Sequence, residues 1–243
     1  MTGHLLELRQ RLIRSLMVVA LLLFILLPFA RPLYAFLATP LLAALPDQAS
    51  LIATGVAAPF LTPFKLVAFL SLFLAVPFLL YQAWSFIAPG LYQNEKRLAL
   101  PLLISSVLLF YAGVAFAYYV VFPLVFAFLT QAAPEGVAVM TDITAYLDFV
   151  LKLFFAFGIA FEVPIATLLL IISGVVNRQQ LAGYRAHVIV AAFVVGMLLT
   201  PPDVISQILL ALPMWLLFEV GLLLSVFLGR SGETAGSESE PKP

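Results

Sequence analysis

No cysteine occurs in the 243 residues. That one absence excludes disulfides, thiolate metal sites and cysteine nucleophiles. Histidine is nearly as scarce. His4 and His187 are the only two, so neither a histidine-based metal site nor any cofactor is expected. Charge is sparse as well: 12 basic and 12 acidic residues make up 10% of the chain, where a soluble domain carries roughly 25%. A net charge of zero argues against nucleic acid as a partner. The chain has no HExxH, GxSxG, P-loop or Gly-rich dinucleotide fingerprint. His4-Leu-Leu-Glu7 lacks the spacing of a zinc site. The expected protein is not an enzyme.

What fills the space is apolar. Hydrophobic residues make up 64% and the mean hydropathy is +1.14, too much for one buried core, so lipid must solvate part of the surface. Six membrane spans are expected, at about 15–34, 64–86, 98–128, 146–173, 186–200 and 204–228, forming one all-α transmembrane domain over 1–228. Residues 2–14 read as a separate amphipathic helix at an interface, with Leu5, Leu8 and Leu12 on one face and Glu7, Arg11 and Arg14 on another. Residues 35–62 form an apolar connection interrupted by Pro40, Pro46 and Pro59. Thr141 or Asp142 can cap the fourth span. Gly174–Arg185 reads as a polar turn, and the last two helices, joined by Pro201-Pro202-Asp203, as a short pair. The tail 229–243, small and acidic, reads as disordered.

Pro28, Pro77, Pro123, Pro164 and Pro213 fall inside spans and should bend them into a kinked, concave bundle. Gly113, Gly158, Gly196 and Gly221 permit close helix contact. The basic residues set orientation. With both termini inside, nine of the twelve fall on the inner side, leaving Arg31, Lys65 and Lys152 outside. That places Glu7 and Glu95, the latter in WSFIAPGLYQNEKR (84–97), in the cytoplasm.

Both carboxylates are candidates for a basic ligand. Glu7 has Arg11 at i+4, an exposed pair worth about 0.3–0.5 kcal/mol, and Glu95 has only adjacent cations, which do not face it on a helix. The competing reading of each is a solvated charge. Glu162, in AFGIAFEVPIATLLL, is the costliest residue in the chain. It is either a protonated acid bonded between helices or a polar spot admitting water or a partner. Gln207 is either an interhelical hydrogen bond or a docking point for another helix. Glu219 reads as reaching the headgroups.

Four segments together resemble one family. HLLELRQRL (4–12), FIAPGLYQNEKR (86–97), FAFGIAFEVP (155–164) and GMLLTPPDVISQ (196–207) are similar, in that order, to motifs of TatC, the multi-span subunit of the twin-arginine protein translocase. The resemblance covers roughly residues 4–228. It implies a multi-pass protein of the bacterial cytoplasmic membrane, a receptor for folded precursors bearing Arg-Arg signal peptides, driven by the proton-motive force. It also implies the single-span partners TatA and TatB, and self-association in a larger complex. By matching positions it assigns signal-peptide binding to Glu7, Glu95, Arg9 and Phe86, and an intramembrane polar site to Glu162. Met197, Thr200 and Gln207 match a docking patch for partner helices, and Pro40 and Asp203 match sensitive outer positions. One difference is that a basic residue is common in the family where this chain has Gln93 or Gln10. The rival readings are a proton-coupled small-solute transporter using Glu162, and a pure membrane scaffold.

Overall fold

A computed structural model describes residues 2–44, 51–87, 96–131, 141–199 and 204–233. Nearly all of them are helical. Among the described residues, five helical stretches are long and apolar enough to cross a membrane: Leu6–Thr39, Ala58–Phe86, Leu100–Phe128, Ile143–Ile172 and Gln207–Val226. Arg185–Leu199 is a shorter apolar helix. The chain is an all-α multi-pass membrane protein. It divides into two compact units, one of Met1–Gly90 and Val114–Phe155, the other of Leu91–Gly113 and Ala156–Pro243.

In the first unit α1 (Thr2–Leu26) and α2 (Ala30–Ala44) are joined by one 3₁₀ turn, Leu27–Phe29. The expected break between an interfacial helix and a first span is absent. No helix breaker lies between Arg14 and Leu26, so the backbone ladder runs through, and the chain departs from α geometry only at Pro28. α1 and α2 both pack on α3 (Ala58–Ile87), and α2 also packs on α5 (Phe122–Gln131). The core is aromatic. Phe122 stacks on Phe154 at 5.2 Å between ring centroids, and Phe126 lies 5.6 Å from Tyr146. The Tyr146 hydroxyl donates to the Leu37 carbonyl at 2.8 Å, which satisfies the one polar atom of a buried ring.

Two-residue strands β1 (Leu51–Ile52) and β2 (Thr141–Asp142) pair in parallel just before α3 and α6 (Ile143–Ala160). Asp142 caps α6, its Oδ1 accepting from the Thr144 and Ala145 amides at 2.9 and 3.0 Å. Its Oδ2 accepts from Thr54, from the amide at 3.0 Å and the hydroxyl at 2.7 Å. These bonds hold the Asp142 carboxyl well below the usual carboxylate range, the Thr54 hydroxyl contributing most.

In the second unit, α7 (Val163–Ile172) and α9 (Arg185–Leu199) pack on α10 (Val204–Glu233). The contacts use small residues, among them buried Ala160, Ala192 and Ala211. A Cβ on Gly221 would meet the Pro164 Cα at 2.9 Å, and one on Gly196 would meet the Gln207 side chain at 3.3 Å. The expected polar turn instead holds α8 (Arg178–Gly183), started by a reciprocal capping box between Asn177 and Gln180. α9 is short, at 15 residues, but α10 is not: it has 30 residues. The expectation of two short final helices is therefore corrected. α10 passes Pro213 unbroken and continues through Gly229–Glu233, the start of the expected disordered tail.

Three of the five expected proline sites coincide with departures from α geometry. Besides Pro28, a π-helical segment, Ala117–Val121, follows α4 (Lys96–Phe116) just before Pro123. Its wider turn relieves the clash a proline ring makes with the carbonyl four residues back. At Pro164 the helix breaks, and Phe161 and Glu162 form a turn between α6 and α7. α3 and α10 accommodate Pro77 and Pro213 inside continuous helix.

Candidate functional site

Glu7 and Arg11 sit one turn apart on α1. The Arg11 Nε and Nη2 both donate to Glu7 Oε1, at 3.1 and 2.7 Å. The same guanidinium reaches α3. Its Nη1 donates to Gln82 Oε1 at 3.1 Å, and its Nη2 to the Ser85 carbonyl at 3.2 Å. Ser85 lies in the last turn of α3, where carbonyls lack helical partners and a cation is favourable. Gln82 is buried and Trp84 beside it also. Arg11 thus fastens α1 to the end of α3 and holds Glu7 in the process, while the Glu7 side chain stays 42% exposed. Phe86, half-buried, follows Ser85 on α3, and Arg9 is exposed on α1. The sequence marked Arg11 only as an i+4 partner. Gln82, an isolated amide in an apolar span, was the signal for its second anchor. Glu95 lies outside the described residues.

Glu162 occupies the turn between α6 and α7 and is the N-cap residue of α7, with no capping bond from its side chain. The Ser106 hydroxyl on α4 lies beside its carboxyl, while Oε1 is buried without a partner among the described residues. The surroundings are tight because glycines admit them. A Cβ on Gly113 would fall 2.5 Å from the Phe157 carbonyl oxygen, and one on Gly158 2.6 Å from the Phe110 ring. Glu162 is therefore a half-buried acid at a helix break, with a hydroxyl as its neighbour.

Gln207 on α10 donates from Nε2 to the Phe193 carbonyl on α9 at 2.9 Å, so the interhelical bond is present. Met197 on α9 is 54% exposed. Beside them Ile189, Phe193, Ile208, Leu212 and Trp215 line an apolar groove of about 170 Å³. Thr200 and Asp203 lie outside the described residues. Pro40 falls within α2, its side chain outside them. Glu219 accepts both arms of Arg185, at 2.7 and 2.9 Å. The two residues are 34 positions apart, a pairing no local pattern announces.

These features define a class: an α-helical multi-pass membrane protein whose rare polar groups cluster at helix ends and breaks. Comparison with known proteins narrows it. The family model for TatC, the Sec-independent protein translocase protein, matches residues 3–213. The TatC of Azotobacter chroococcum is 59% identical over 100% of this chain and 95% of its own length. That of Escherichia coli K12 is 54% identical over 92% and 87%. A crystal structure of the twin-arginine translocase receptor TatC superposes with a TM-score of 0.82 at 40% identity, covering 92% of this chain and 98% of that one. The chain belongs to the TatC family and is a Sec-independent protein translocase protein.

Proposed function

We propose that this translocase protein is the receptor for twin-arginine signal peptides, and that Glu7 and Glu95 hold the two arginines, with Arg9 and Phe86 shaping the site. The observation that carries this is the Glu7–Arg11 pair. A half-exposed carboxylate receives two guanidinium N–H groups of its own chain on Oε1; a signal-peptide arginine would use the same charge-assisted chemistry, with a planar fork that lysine lacks. Family membership supports the reading, and so does the likeness to a solved protein named as the twin-arginine translocase receptor. Met197, Thr200 and Gln207, with the adjoining apolar groove, serve as the docking patch for the single-span partners TatA and TatB. Pro40 and Asp203 act on the outer side. Glu162 is a wettable spot within the bilayer. α9, about 22 Å long at 1.5 Å per residue, thins the bilayer locally.

With α9 crossing, the spans number six and both termini share one side. The bias of the basic residues supports the cytoplasm as that side, and membership of the family supports the bacterial inner membrane.

The deciding experiment is equilibrium binding of a fluorescent signal peptide to the purified protein. An Arg-Arg peptide should bind at least about tenfold more tightly than its Lys-Lys form, because two forked ion pairs are lost. Glu7→Gln and Glu95→Gln should each weaken the Arg-Arg peptide. Equal affinity for both peptides would sink the receptor reading.

A further inference from the structure

We propose that the groove between α3 and α6, lined from the second turn of each helix onward, binds the headgroup of an anionic phospholipid. Lys65 of α3 is paired with Asp148 of α6. One turn further along α6 stands Lys152, exposed and without an ion pair among the described residues. Together with Phe69, Leu72 and Phe155 these three line an open groove of about 440 Å³.

Depth and charge select the occupant. From Lys65 to the end of α3 at Ile87 the helix rises about 33 Å, slightly more than a hydrocarbon core of about 30 Å. A helix that ends at one headgroup layer therefore brings Lys65 to the other, and a lysine stem can bridge the remainder. The charged rim lies where lipid phosphates lie. Two ammonium groups against one carboxylate leave a single positive charge, which one phosphodiester neutralises. The apolar residues stand one turn deeper into the membrane, with Phe155 47% exposed, and supply a surface for an acyl chain. A free anion has no use for that surface; a phospholipid uses both halves of the groove. This site is independent of the signal-peptide reading.

Lipid-stripped protein in neutral detergent is titrated with dioleoylphosphatidylglycerol or dioleoylphosphatidylcholine, and retained lipid is counted by native mass spectrometry. The glycerol lipid should be held preferentially. Lys152→Gln should weaken its retention about fivefold, a typical effect for one lysine at a charged membrane surface. Phosphatidylcholine retention should not change, and Lys152→Arg should restore the preference. Equal retention of the two lipids by the unaltered protein, or an undiminished preference in Lys152→Gln, overturns the proposal. Thermal protection by inorganic phosphate equal to that by the glycerol lipid would assign the site to free anions and overturn it as well. Because the chain has no cysteine, a Phe155→Cys variant gives an independent check. Disulfide-linked dimers in native membranes would put a second copy in the groove instead of lipid.

Discussion

Arg11 shows how much one side chain can organise at the residue scale. Its guanidinium serves a carboxylate on its own helix, a buried amide on α3 and a carbonyl at the end of α3. Lysine offers a point charge in place of the planar fork. Arg11→Lys should therefore lower stability by about 1–2 kcal/mol, seen as earlier unfolding of the detergent-solubilised protein in a denaturant titration. Asp142 makes a pH-dependent prediction. Its folded-state pKa lies below the ordinary carboxylate value, so its stabilisation is complete above that ordinary value and is lost as pH falls through the lowered one. Thermal melting should drop as pH is taken below about 4. Asp142→Asn should already melt lower at neutral pH and lose less on acidification. An unchanged acid limb in Asp142→Asn would assign that limb to other groups.

At the scale of elements, glycine sets how closely helices approach. The Phe157 carbonyl that a Cβ on Gly113 would strike at 2.5 Å is backbone and cannot rotate away. Gly113→Ala should cost about 1–3 kcal/mol as the helices part. Gly183→Ala is the control: nothing lies within 4 Å of its added Cβ, so that variant should be neutral or slightly stabilising. Equal loss in both would mean that crowding at Gly113 is not what matters. The same scale explains the corrected helix ends. Helix termination needs a breaker or a cap, and a change in hydropathy alone does not supply one. α1 begins well before its apolar run and α10 continues past its own, because neither boundary in hydropathy coincides with a proline.

For the whole molecule, topology depends on α9. Five longer helices alone would leave the termini on opposite sides; α9 as a sixth crossing returns them to one. The natural absence of cysteine makes this directly measurable. With Ser237→Cys in the tail and, separately, Ser50→Cys before α3, a membrane-impermeant maleimide applied to spheroplasts should label Ser50→Cys and spare Ser237→Cys until the membrane is opened. Labelling of both in intact spheroplasts would remove α9 as a crossing.

Legible in the sequence were the long apolar helices, their approximate lengths, the cap at Asp142, and the positions where an isolated polar residue needed a reason. They are legible because helical periodicity, capping and proline chemistry are all local. Tertiary structure alone decided which faces meet. In water a buried face is the apolar one, but in lipid every face is apolar: Phe24 is 74% exposed and Phe157 fully buried, with nothing in their neighbouring residues to tell them apart. The β1–β2 pair, Lys65 with Asp148, and Arg185 with Glu219 each join segments far apart in the chain. The same holds for Arg11 with Gln82 and Ser85, the contact that fastens α1 to the end of α3 and holds the Glu7 side chain there.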